Sequence, residues 1–127
     1  MKNLKKQYTI HSTPEFIFQA LTNPLTIEIW TGSTAVMEPV ADTEFSLWDG
    51  DITGKNLEVE ANRRLVQQWY FEGEEPASIV TITLEPTSKT TTRLELLHIN
   101  IPDEAFENIV EGWDKYYIKP LKLLVED

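Results

Sequence analysis

Between Asn100 and Val125 the apolar residues Phe106, Ile109, Val110, Trp113, Tyr116, Tyr117, Leu121 and Leu124 fall three and four positions apart. That spacing lays one broad apolar stripe along a helix. Pro102 suits a first helical turn, and Asp103 can accept from its orphan N–H groups. Acidic residues lead (Asp103, Glu104, Glu107, Glu111) and lysines follow (Lys115, Lys119, Lys122), the order that complements a helix dipole. Two residues resist a plain helix. Gly112 costs about 1 kcal/mol relative to alanine, and Pro120 removes a hydrogen bond, predicting a kink or a split into two legs. Three large aromatics within five positions exceed what a helix needs merely to rest on a sheet. A chain with strands before such a helix is expected to wrap a sheet around it.

The strands are legible upstream. Leu4 to Ile10 reads as a strand with Leu4, Tyr8 and Ile10 on one face. Thr13-Pro14-Glu15 then starts a short helix, with Thr13 as cap, that is expected to bury Phe16, Ala20 and Leu21. Asn23-Pro24 repeats the punctuation and opens a second short helix ending near Gly32. Strands are expected at Val36–Glu38 and Thr43–Trp48, followed by a hairpin signal at Asp49-Gly50. Ile52–Glu60 continues, with a bulge expected at Gly54. Arg64–Phe71 places Leu65, Gln67, Trp69 and Phe71 on one face, and a polar loop, Glu72 to Pro76, follows. Ser78–Leu84 turns Val80, Ile82 and Leu84 one way, and Thr92–Ile99 does the same with Leu94, Leu96 and His98. Short strands, tight turns and one apolar face predict an antiparallel α+β architecture.

Composition excludes several classes. A chain of 127 residues with 10% aromatics is expected to form one domain, residues 1–127, with a real core. There is no cysteine, hence no disulfide, thiolate metal site or thiol nucleophile, in keeping with a cytoplasmic location. No apolar run reaches the length of a signal peptide core or a membrane span. The net charge of −10 repels phosphate backbones, so nucleic acid is not an expected partner.

The order and spacing of several short motifs resemble a known group. They are Ser12-Thr13-Pro14-Glu15 with Ala20-Leu21-Thr22, Asp49-Gly50 and Gly54, Trp69-Tyr70-Phe71, Val80-Thr81-Ile82-Thr83-Leu84, Ile101-Pro102, and Gly112-Trp113 with Tyr116-Tyr117. Together they resemble the START-like (SRPBCC) superfamily and, within it, the activator of heat-shock protein 90 ATPase homologue family, of the C-terminal-domain type. The resemblance implies a helix-grip fold, with about seven antiparallel strands curved around a long C-terminal helix and two short helices after the first strand. Relatives often carry paired tryptophans after the second helix, where Trp30 stands alone here. The eukaryotic activator's separate N-terminal domain is not expected in a chain of this length.

Candidate functional residues follow from strand parity and helix phase. His98 and Gln67 are the polar groups expected on inward faces, beside Trp69. With a hydroxyl from Tyr116 or Tyr117 they form either the convergent polar groups of a ligand pocket or a closed structural network. Trp30, Phe71, Ile109 and Trp113 complete the set expected around one space, either a plain core or a cavity between sheet and helix. Two histidines in different elements, with no carboxylate at ligand spacing, give no metal site. Carboxylates such as Glu44, Glu58 and Glu60 lie on solvated faces, and no acid/base pair, activated hydroxyl or phosphate loop is readable. The expected function is therefore binding of a small apolar or aromatic ligand, without catalysis or cofactor, by a monomer or weak homodimer. The alternatives are a co-chaperone-like protein-interaction module and, less favoured, an enzyme similar to the superfamily's cyclases and aromatases.

Overall fold

The structure is a computed structural model that describes residues 1–71 and 76–126; of the expected loop Glu72 to Pro76, residues 72–75 therefore lie outside the described residues. Its elements are β1 (Lys2–Ile10), α1 (Pro14–Thr22), α2 (Pro24–Thr31), β2 (Glu44–Leu47), β3 (Ile52–Glu60), β4 (Arg64–Trp69), β5 (Ser78–Pro86), β6 (Thr92–Ile101), α3 (Phe106–Gly112), a π-helical turn (Trp113–Ile118) and α4 (Lys119–Val125). All strand pairs are antiparallel, in the order β1-β6-β5-β4-β3-β2. The N-terminal strand thus pairs beside the last one, Leu4 opposite His98. Among the described residues the sheet has six strands rather than about seven, because Val36 contributes only an isolated bridge to Ser46. This curved sheet around a long, broken C-terminal helix is the helix-grip arrangement.

The short helices form for local reasons. The Thr13 hydroxyl caps α1 by accepting from the Phe16 N–H at 3.2 Å. Asn23 serves both helices: its backbone N–H closes α1 on the Gln19 carbonyl, and its side chain accepts from Leu25 and Thr26 at the start of α2. Gly32 ends α2 at φ 72°, the left-handed cap that glycine adopts without a Cβ penalty. One expectation on α1 fails. The buried arc is Ile17, Phe18, Ala20, Leu21 and Thr22, centred near Leu21, which leaves Phe16 at its edge and 38% exposed.

Gly54 does not mark a bulge. It pairs in register with Phe45 and Trp69, while the slip in β3 falls between Asn56 and Glu58, so that Leu57 is the extra residue. Gly54 is required by close approach instead. A Cβ there would collide with the Gln68 carbonyl oxygen and stand 2.7 Å from the Phe45 ring. Backbone cannot yield as a side chain does, so Gly54→Ala is expected to cost about 3 kcal/mol, the upper end for overpacking. An unchanged thermal midpoint would show that β3 and β4 can part to accept the methyl.

The C-terminal helix is split, as Pro120 predicts, but by widening rather than by a sharp bend. The Lys119 N–H bonds the Asp114 carbonyl, five residues back, so the helix widens immediately before Pro120, the position at which the ring removes a backbone donor. The wider turn retards the helix phase. Trp113 and Tyr117 stay buried, Ile118 joins them at 2% exposure, and Tyr116 swings out to 61%. From there the buried positions are Leu121 and Val125, with Leu124 only partly covered. α1 and α2 pack against α4 and close that end of the core.

Candidate functional site

The aromatic interior divides into a sealed part and an open part. On the sealed side Trp113 is held on three sides. Its indole stacks on Trp69 (centroids 5.0 Å, 20°), tilts against Tyr117 at 4.4 Å, and donates from Nε1 to His98 Nδ1 at 3.1 Å. That donation leaves Nδ1 as the acceptor, so Nε2 carries the proton and donates to Ser78 Oγ at 2.8 Å. The Ser78 hydroxyl in turn donates to the Ile99 carbonyl at 3.2 Å. His98 is fully buried and neutral, and burial lowers its pKa to about 4.

Gln67 belongs to a second chain of bonds. Trp69 Nε1 donates to Gln67 Oε1 at 3.1 Å, and Gln67 Nε2 donates to Asn56 Oδ1 at 2.9 Å. Asn56 ends the chain by donating to the Glu38 carbonyl at 3.0 Å. Among the described residues the two networks are separate and internally satisfied, and neither takes a tyrosine hydroxyl as a partner. They orient Trp69 and Trp113 as rigid walls.

The open part is a cleft of about 360 Å³ between the β2–β3 turn and the helix, and Trp69, Trp113 and Tyr117 form its buried side. Ile109, Gly112, Asn108 and Tyr116 line it from the helix, and Trp48, Asp51 and Ile52 from the turn. Of the residues expected from the sequence, Trp69, Ile109, Trp113, Tyr116 and Tyr117 meet here. Trp30, Gln67, Phe71 and His98 do not line it: Trp30 stands behind Tyr117 and Trp48, bonded from Nε1 to the Ala20 carbonyl at 2.8 Å, and Phe71 lies half-buried beside His98. Burial also holds the Tyr117 phenol well above its usual pKa, so it stays protonated.

Sequence reasoning missed Trp48, Asp51, Ile52, Asn108 and Gly112. Asp49-Gly50 does signal the turn, but Trp48, Asp49 and Gly50 all take positive φ (50°, 54° and 98°). A bulky residue there costs on the order of 1–2 kcal/mol. The conformation places the Trp48 ring on Trp30 at 5.8 Å and Tyr117 at 5.9 Å, packing that offsets the strain. Parity along a strand cannot foresee a left-handed tryptophan. Among the described residues, no group of three or more His, Asp or Glu is placed to hold a metal, and no helix is long and apolar enough to cross a membrane.

A curved antiparallel sheet gripping a broken helix, with an apolar cleft beside the helix, defines a START-like helix-grip protein. Residues 11–126 match the family described as activator of Hsp90 ATPase homolog 1-like protein, and the chain belongs to that family. Relatives include the activator of 90 kDa heat shock protein ATPase homolog of Dictyostelium discoideum, 28% identical over 95% of this chain and 32% of the relative. The human activator homolog 1 is 25% identical over 90% of this chain and 34% of its own length. The chain thus spans about a third of the length of these curated relatives. Among solved structures, an HSP90 activator from Plasmodium falciparum superposes with a TM-score of 0.90 at 25% identity, covering 98% of this chain and 96% of that one. The Aha1 dimer from Colwellia psychrerythraea shares the fold, with a TM-score of 0.85 at 20% identity over 99% and 97% of the two chains.

Proposed function

We propose that this chain binds a small apolar or aromatic ligand in the cleft between the β2–β3 turn and the C-terminal helix, and that it acts by binding rather than catalysis. One observation carries the reading: a cleft of about 360 Å³, lined mainly by aromatic and aliphatic groups, whose indole walls are already held by closed hydrogen-bond networks. That volume falls within the range of small-molecule sites, and walls fixed beforehand lower the entropy lost on binding. A neutral apolar fluorophore such as Nile red is expected to bind with micromolar affinity, near −8 kcal/mol, and to quench tryptophan emission. Gly112→Leu supplies the control. Nothing lies within 4 Å of a Cβ at Gly112, which lines the cleft, so leucine fits the helix and fills the space the ligand needs. Equal binding by wild type and a folded Gly112→Leu variant would place the fluorophore elsewhere and sink the proposal.

The relatives' names favour a second reading, a co-chaperone-like module that regulates a 90 kDa heat-shock chaperone. A coupled ATPase assay with such a chaperone tests it: stimulation that survives Gly112→Leu supports a docking role independent of the cleft. Either reading suits a cytoplasmic monomer or weak homodimer.

A further inference from the structure

We propose that the cleft selects organic cations, namely a protonated or quaternary amine attached to an apolar or aromatic body; this rests on the ligand-binding reading of the same cleft. The argument is one of charge. Among the described residues, five aromatic side chains line the space (Trp48, Trp69, Trp113, Tyr116 and Tyr117), and Asp51 is the one charged residue beside them, with no lysine, arginine or histidine in the lining. Aromatic faces are electron-rich and attract a cation within about 6 Å of the ring centre, most strongly for tryptophan. An anion entering here meets the Asp51 carboxylate with no lining cation to offset it.

The rim is built for that recognition. Trp48 and Asp51 stand on the same turn, three residues apart, and the left-handed backbone at Trp48 brings both to one edge of the opening. Tyr116 faces the cleft from the helix, its ring largely in solvent at 61% exposure. Asp51 is exposed and, among the described residues, enters no salt bridge or side-chain hydrogen bond, so its charge is not already neutralised. A cation between Asp51 and Tyr116 keeps part of its hydration, while its apolar body reaches the buried indoles of Trp69 and Trp113. The chain's net charge of −10 adds a long-range field of the same sign.

Three ligands that differ chiefly in charge test this by calorimetric titration: (1-naphthylmethyl)trimethylammonium, its carbon isostere 1-neopentylnaphthalene, and 1-naphthylacetate. The cation is expected to bind about tenfold more tightly than the neutral isostere, and the anion more weakly than either. Asp51→Asn keeps the backbone bond from residue 51 to the Trp48 carbonyl, so it should fold. It should remove about two- to fivefold of the cation's affinity and leave the neutral compound unchanged. Raising salt to about 0.5 M should weaken the cation alone. Equal affinities for cation and isostere, or a folded Asp51→Asn variant that binds the cation unchanged, overturn the charge selectivity while leaving a ligand site intact. Absence of binding by all three compounds overturns the ligand site itself, and the selectivity with it.

Discussion

Trp113→Ala is expected to lower stability by about 3–5 kcal/mol, most of what holds a small domain together. Trp113 is 2% exposed, stacks on Trp69 and donates the bond that fixes His98. Its removal takes away a large buried apolar surface and leaves His98 Nδ1 without a donor. The void opens into the cleft, where water can enter, so the lower end of the range is expected. Trp113→Phe separates the two contributions: it keeps a ring against Trp69 but not the N–H, and should cost about 1–3 kcal/mol. Urea midpoints measure both. A Trp113→Ala midpoint near that of the wild type would mean that the stack does not hold the helix to the sheet.

The second large effect is a dependence on pH. His98 is held at about 4 in the folded protein, against 6.5 as its ordinary value. Between those values the unfolded chain binds a proton that the folded chain refuses, so stability rises with pH across the window. The contribution is full above pH 6.5, falls as the pH drops towards 4, and amounts to about 3 kcal/mol over the whole window. Asp114 acts with the same sign but lower on the scale, because hydrogen bonds from Lys6 and then Tyr8 hold it below the usual carboxylate value of 3.8. His98→Asn isolates the histidine: its amide oxygen can still accept from Trp113, and it does not titrate. That variant should lose stability uniformly and show a flatter profile between pH 6.5 and 4. A profile as steep as the wild type's would assign the slope to other groups.

Much of the fold is written in signals that act over a few residues. Thr13, Asn23 and Gly32 set the bounds of α1 and α2 by capping, and each reads directly. Alternation along β5 and β6 shows which face is buried, because side chains on a strand have a period of two whatever the partner. The aromatic stripe of the last helix already implies a sheet wrapped around it, and the resemblance to the activator family adds the helix-grip arrangement as a whole. The functions of individual glycines are less legible. Gly54 is needed because a neighbouring strand and the Phe45 ring crowd it, a fact that belongs to the pairing and not to the residue.

What the sequence determined alone was the order of elements, their caps and the inward faces that gather the aromatics. What only the tertiary structure decided was which inward residues meet a cleft and which are sealed. Gln67 and His98 are inward as parity requires, but their partners Asn56, Ser78 and Trp113 lie 11, 20 and 15 residues away, on other elements. Tyr116 and Ile118 exchange places because the turn before Pro120 closes on the fifth residue, shifting a phase that a uniform period cannot anticipate. Trp48 and Asp51 reach the cleft through a left-handed turn sustained by packing against Trp30 and Tyr117. Local signals depend on neighbours along the chain, whereas the cleft depends on how distant side chains divide one shared space.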